Sequence, residues 1–218
     1  MPAASFSVFL LRHTRVADSS LCYGHHDVAL AATAAADMAT VAARLPALLG
    51  RPVAAPAPAV LLASAAPAGT RYPFQIINSP ATRCRQLAEV LARELPAAET
   101  IRPDERLREM NFGAWEGRPW AGIAPAELNP WMADYVKLAP PGGETFQQLQ
   151  DRAAALLAEL TAADTPTLLV THAGLIRALL CHCLEMPLRH AFRLSVDFGS
   201  VTELRWQGSN WQVLGVNR

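Results

Sequence analysis

The sequence predicts a three-layer α/β/α fold built on a mostly parallel central sheet. Three observations lead there. Short runs rich in apolar, β-branched or aromatic residues at 6–11, 74–77 and 167–170 have the length of strands buried on both faces. Longer stretches with apolar residues at helical spacing lie between and after them, an alternation that yields a parallel sheet covered by helices. Hydrophobic residues make up 51% of the 218 positions and charged residues 17%, which suits one domain with a large core and leaves too little chain for two.

Phe6-Ser-Val-Phe-Leu-Leu11 is the first strand. A turn-rich stretch runs to about Asp27, and Thr33 stands as N-cap of an Ala-rich helix carrying Met38, Val41, Leu45 and Leu48. Gly50 to Gly69, rich in Ala and Pro, reads as a surface connection inside a single domain spanning 1–218. Phe74-Gln-Ile-Ile77 is the second strand. Ser79-Pro80 predicts a helix start with Ser as N-cap and Pro at the first helical position, followed by a core face of Cys84, Leu87, Ala88, Leu91 and Leu95. Residues 100–143 read as an irregular segment in which Phe112, Trp115, Trp120 and Trp131 cluster. After the turn Pro140-Pro-Gly-Gly143, a helix is expected over Glu144 to Ala163 with the stripe Phe146, Leu149, Ala153, Leu156, Leu160. Thr167-Leu-Leu-Val170 is the third strand and a helix follows His172. Val201–Trp206 and Trp211–Leu214 predict a hairpin across Gly208-Ser209.

The formal net charge of +0 gives no global reason to expect nucleic acid or an anionic membrane as partner. No apolar run approaches the ~18 residues of a membrane span, and the start of the chain lacks the basic n-region of a secretory signal. A cytoplasmic protein is expected, with Cys22, Cys84, Cys181 and Cys183 as free thiols. Cys181-His182-Cys183 falls in an apolar stretch read as helix, where i and i+2 do not face each other. No second ligand pair follows at zinc-like spacing, so neither a metal nor a cofactor is expected.

In parallel sheets ligands bind beyond the carboxyl ends of the strands. The first strand runs out into Arg12-His13, the second into Ser79 and Arg83, the third into His172. Each residue alone is ordinary, since an Arg-His pair or a single His after a strand is usually a surface or core feature. Their joint arrival at three strand ends points to phosphate. Arginine presents a planar fork of donors that fits phosphate oxygens. A neutral imidazole is a competent nucleophile toward phosphorus, and a second imidazole can donate to an equatorial oxygen. The leaving alcohol needs an acid, for which Asp104, Glu105, Glu109, Glu116 and Glu144 are candidates that composition does not separate.

Leu11-Arg-His-Thr14, Ser79-Pro-Ala-Thr-Arg83 and Val170-Thr-His-Ala-Gly174 resemble the three signature segments of the histidine phosphatase superfamily, the phosphoglycerate mutase-like fold. The resemblance implies that His13 is the phosphorylated nucleophile and that Arg12, Arg83 and His172 form the phosphate pocket. Leu107 to Gly117 resembles the segment whose first glutamate is the proton donor, which selects Glu109. Thr14 and Arg15 replace the Gly and Glu of the commonest first segment. Cys22-Tyr-Gly24 with Asp27, Arg83-Cys84, Phe112-Gly-Ala-Trp-Glu-Gly117 and Pro141-Gly-Gly-Glu144 resemble one branch, the alpha-ribazole phosphatases of cobalamin biosynthesis. That implies a small phosphate ester as substrate, with Thr14, Tyr23, Gly24 and Ala173 at the substrate. The bland alternative for Gly24 is a turn glycine supplying a positive φ and nothing more. The adjacent His25 and His26 read as surface residues. Most of the clustered aromatics are expected in the core, with stacking on a flat base as the alternative. A phosphoglycerate mutase-like enzyme, a phosphatase of other small esters and a non-catalytic phospho-ligand binder are the competing readings.

Overall fold

Residues 5–49, 74–95, 98–163 and 165–218 are described by the computed structural model, and the Ala/Pro-rich connection expected at about 50–70 lies outside them. Six strands form one sheet: β1 (Phe6–Arg12), β2 (Phe74–Asn78), β3 (Ala98–Pro103), β4 (Thr167–Thr171), β5 (Val201–Trp206) and β6 (Trp211–Gly215), in spatial order β3-β2-β4-β1-β5-β6. The first four run parallel, and β5 and β6 add the expected antiparallel hairpin beside β1. In β1, Phe6, Val8 and Leu10 enter one core cluster while Phe9 and Leu11 enter the other; β4 divides Leu169 from Leu168 and Val170 in the same way. Strands apolar on both faces read as unbroken hydrophobic runs, which is why these were visible in the sequence.

Helices α1 (Ala34–Leu49) and α2 (Thr82–Glu94) pack into one cluster; α4 (Phe146–Ala163) and α5 (Ala173–Cys183) pack into the other, with α3 (Pro125–Ala133) on the segment between β3 and α4. The stripe of α4 is buried at all five expected positions. The helix that follows β1 and the helix that follows β4 therefore lie on opposite faces. This opens a crevice at the carboxyl ends of two neighbouring strands. Among the described residues no helix is long and apolar enough to cross a membrane.

Four expectations are corrected. The 100–143 segment is not wholly irregular. β3 begins before it and runs to Pro103, and α3 lies inside it. β3 is an edge strand whose Ile101 is exposed, so it lacks an apolar run, and two prolines mask the short α3. α2 begins at Thr82, with Ala81 rather than Ser79 in the cap position. The Ser79 hydroxyl faces His172 Nε2 at 2.8 Å, and the Thr82 N–H donates instead to the Asp27 carboxylate at 3.0 and 3.2 Å. Thr33 does precede α1, but its hydroxyl donates to Asp37 at 3.2 Å and caps no N–H. α4 starts at Phe146, because Thr145 caps it: its Oγ1 accepts from the Gln148 N–H at 3.1 Å and its own N–H donates to Gln148 Oε1 at 2.8 Å.

Candidate active site

The ends of β1, β2 and β4 are locked together beyond the strands themselves. The His13 N–H donates to Thr171 O at 3.0 Å and the Ser79 N–H to Val170 O at 2.9 Å. This backbone frame brings the two histidines face to edge, with ring centroids 5.2 Å apart. Both are buried. His13 Nδ1 lies 2.7 Å from Thr14 O. A carbonyl only accepts, so Nδ1 carries the ring proton and Nε2 keeps its lone pair. Burial, then the positive charge of Arg83, holds the His13 pKa well below the ordinary histidine range, so the ring is neutral.

His172 is held differently. Arg83 Nε donates to its Nδ1 at 3.3 Å, which places the ring proton on Nε2, directed at Ser79 Oγ. Burial and then Arg83 lower its pKa as well. Both ring nitrogens are thus engaged, and donation to an equatorial phosphate oxygen requires release from Ser79. Cys84 lies against the same ring, its Sγ 3.5 Å from Nε2, and burial pushes its thiol up to about 12, so it stays protonated.

Arg83 is wholly buried. Besides His172 it donates to Gly24 O at 2.7 Å and His26 O at 3.1 Å, with Asp27 3.8 Å away. These bonds explain the Tyr23-Gly24-Asp27 stretch. Its carbonyls grip the guanidinium, while Asp27 caps α2. The N–H groups of Gly24, His25 and His26 all donate to the Glu116 carboxylate at 2.8–2.9 Å, and the Phe112 N–H joins them at 2.9 Å. Gly24 has no positive φ. A Cβ there would overlap the carbonyl oxygen of Met110, so close approach and not turn geometry demands glycine. Both backbone polar atoms of Gly24 are occupied within the protein, whereas the Tyr23 ring borders the cleft. His26 is exposed as expected, while His25 is half-buried.

A cleft of about 250 Å³ opens beside His13. Arg12 and Glu109 line it on the chemical side; Phe112 and Trp120, edge to face at 5.3 Å, line the outer wall. Trp115 and Trp131 are core, as expected of most of the cluster, while Phe112 and Trp120 are partly buried against the same core and also border the cleft. Arg12 Nη1 donates to Val196 O at 2.7 Å, and its guanidinium lies 3.6 Å over the Phe198 ring. Glu109 accepts from the Gly174 N–H at 2.9 Å and from its neighbour Met110 at 3.0 Å, so the first turn of α5 fixes its carboxylate. A Cβ at Gly174 would collide with that carboxylate.

The structure therefore brings His13, Arg12, Glu109 and Tyr23 to one cleft, with Arg83 and His172 directly behind it. Ala173 is buried at the start of α5. Thr14 is buried and faces a separate cleft with Arg15 and Arg44. Arg177 was missed. It lies one turn into α5, donates through Nε to Leu194 O at 2.9 Å, and borders the cleft; its two Nη groups have no hydrogen-bond partner among the described residues. In the sequence it sits inside the apolar run of α5, where one arginine passes for a solvated residue. Among the described residues no three His, Cys, Asp or Glu side chains come together as metal ligands.

Comparison with known proteins places the chain in a family. Residues 62–218 match the family described as the histidine phosphatase superfamily, branch 1; the segment carrying His13 precedes the matched residues. Glucosyl-3-phosphoglycerate phosphatase of Mycobacterium tuberculosis is 34% identical over 58% of this chain and 61% of its own, so the match spans about three fifths of that relative's length. A probable phosphoglycerate mutase of Salmonella newport is 32% identical over 64% of this chain and 66% of its own. The structure of the mycobacterial glucosyl-3-phosphoglycerate phosphatase with inorganic phosphate overlaps 98% of this chain and 97% of its own at a TM-score of 0.75 and 26% identity. The alpha-ribazole phosphatase of Shigella flexneri shares the fold, with a TM-score of 0.76 over 98% of this chain and 96% of its own at 20% identity. With a family match over well more than half of its length, and with that family's fold, this chain belongs to the histidine phosphatase superfamily.

Proposed function

We propose that the protein hydrolyses phosphomonoesters in two steps through a phosphohistidine on His13. One observation carries this reading: a buried, neutral imidazole has its proton fixed on Nδ1 and its Nε2 beside a cleft shared with Arg12 and the Glu109 carboxyl group. In the first step the Nε2–P bond forms and the P–O bond to the alcohol breaks, with a proton passing from Glu109 to the leaving oxygen. In the second, water attacks phosphorus, gives its proton to Glu109, and the P–N bond breaks. Arg12 and Arg83 carry the phosphate charge, and the step needs no metal.

For the alcohol half, alpha-ribazole 5′-phosphate is the substrate proposed, on the local resemblances at Cys22–Asp27 and Phe112–Gly117 and on the Phe112–Trp120 wall, which suits a flat base. A second reading has its own support. Arg177 borders the cleft and its two Nη groups have no hydrogen-bond partner among the described residues, which suits a carboxylate on the alcohol half, and the relatives named above include a glucosyl-3-phosphoglycerate phosphatase and a probable phosphoglycerate mutase. Phosphate release in EDTA, compared as kcat/KM across alpha-ribazole 5′-phosphate, 3-phosphoglycerate, glucosyl-3-phosphoglycerate and sugar phosphates, decides between them. A preference of about a hundredfold for one class corresponds to ~2.7 kcal/mol of differential transition-state binding. Acid-labile phosphohistidine on His13 is expected with every turned-over substrate. Its absence under rapid quench overturns the covalent mechanism.

A further inference from the structure

The backbone that carries Glu109 belongs to no helix or strand. A single 3₁₀ turn, Glu105–Leu107, ends just before it. Such a stretch leaves carbonyls that need partners when buried. Here one side chain supplies most of them. Arg152, on α4, donates through Nη1 to Arg106 O at 2.6 Å and Arg108 O at 2.8 Å, and through Nη2 to Glu109 O at 2.9 Å. The carbonyl it leaves out, Leu107 O, accepts from Thr171 Oγ1 at 2.7 Å. The remaining donors of Arg152 meet Glu144, with Nε to Oε2 at 3.1 Å and Nη2 to Oε1 at 2.7 Å. Glu144 Oε1 in turn accepts from the Asn111 N–H at 2.8 Å. All five guanidinium N–H groups are therefore used, two on a carboxylate and three on the carbonyls flanking and including Glu109. Both side chains are largely buried.

We propose that Arg152 and Glu144 form a positioning pair for Glu109. Neither Arg152 nor Glu144 lines the cleft; Arg152 reaches it only through the backbone carbonyl of Glu109. It fixes the backbone from which the Glu109 carboxyl group reaches the leaving oxygen, while the Gly174 N–H fixes the carboxyl group itself. Only an arginine can do this, because a lysine carries the charge but has no planar fork to span three carbonyls and a carboxylate. The inference rests on Glu109 being the proton donor, and the test separates the two.

The test is kcat/KM for a series of phosphate monoesters with leaving groups from alkyl (glycerol 3-phosphate) through phenyl to 4-nitrophenyl. This quantity reports transfer to His13 and not hydrolysis of the phosphoenzyme. A poor leaving group needs the proton and a good one does not. Arg152→Lys is expected to lose roughly 10- to 100-fold on the alkyl ester and about threefold or less on the 4-nitrophenyl ester. Glu144→Gln, which keeps the shape and covers the case in which the lysine variant misfolds, should show the same trend more weakly. Glu109→Gln is the reference for losing the acid. A steep leaving-group dependence in Glu109→Gln with equal losses on every ester in both pair variants overturns the positioning role and leaves only a structural one. A flat profile in Glu109→Gln overturns the acid assignment, and the positioning proposal with it.

Discussion

His13 reaches the cleft from the end of β1, with His172 after β4 and Arg83 on the first turn of α2 directly behind it, whereas Glu109, Phe112 and Trp120 reach it from a stretch with no regular ladder. On the first side the backbone of the sheet does the positioning. His13 and Ser79 are hydrogen-bonded to β4 across the strand ends; the Thr14 carbonyl fixes the tautomer of His13, and the Arg83 Nε–H fixes that of His172. On the second side carboxylates and an arginine from distant parts of the chain replace the missing ladder. Glu116 gathers four N–H groups, and Arg152 gathers three carbonyls. Secondary structure thus places His13, the proposed nucleophile, and buried side-chain-to-backbone bonds place Glu109, the proposed acid. The two walls should fail differently when disturbed.

The largest effect is expected at Glu116, which joins the walls. Removing its carboxylate strands the N–H groups of Gly24, His25, His26 and Phe112, and it frees the two carbonyls that grip Arg83. Glu116→Ala should lower unfolding free energy by about 2–4 kcal/mol, since stranded polar groups cost more than the lost bonds alone. It should also reduce kcat/KM for all esters alike, because in the proposed mechanism Arg83 serves the phosphate and not the leaving group. Urea unfolding and the leaving-group series measure the two. A loss confined to poor leaving groups would show that the loop serves the acid side only.

A smaller effect isolates the strand-end wall. His13 and His172 are neutral in the fold with pKa values well below the ordinary range, by burial first and Arg83 second, and burial lowers His25 too. The unfolded chain binds protons below about pH 6.5 that the folded chain refuses, so stability rises with pH through that window and is lost as pH falls. Each buried histidine contributes a slope of at most ~1.4 kcal/mol per pH unit, with no contribution above about pH 7.5. Equilibrium unfolding between pH 7.5 and 5.5 should show it, and His172→Gln should reduce the slope. The acid limb of kcat/KM should lie below the ordinary histidine pKa, because neutral His13 is the reactive form in the proposed mechanism. A stability flat across that range would mean that the imidazoles are not refused their protons.

The contrast also explains what could be read from the sequence. Strand runs apolar on both faces ended at Arg12, His13, Arg83 and His172, so period and position sufficed to bring those residues to one edge. The roles of Glu116, Glu144 and Arg152 were not legible, because a side chain bonding to backbone 33 to 92 residues away leaves no period. Glu116 and Glu144 registered only as two more candidate acids. Ser79 looked like a helix cap because local spacing cannot show that a histidine 93 residues later faces its hydroxyl. β3 was not legible because Ala98-Glu-Thr-Ile-Arg-Pro103 holds no apolar run and its one large apolar residue, Ile101, is exposed, and Arg177 was hidden by the apolar run around it. The resemblance named the acid where the residues alone left five candidates.

Asp27 tests the comparison at its weakest joint. Its carboxylate caps Thr82 N–H across a gap of 55 residues and stands 3.8 Å from Arg83, on a side chain nearly half exposed. A lost cap costs about 1 kcal/mol, and a part-exposed ion pair adds little. Asp27→Ala should therefore cost about 1 kcal/mol in urea, while Arg83 keeps its bonds to Gly24 O, His26 O and His172. If the sheet positions the phosphate wall, kcat/KM should fall only a few fold with no dependence on the leaving group. A loss comparable with that of Glu116→Ala would mean that Arg83 is held in place chiefly by charge, and that the strand-end wall is as dependent on remote carboxylates as the acid wall.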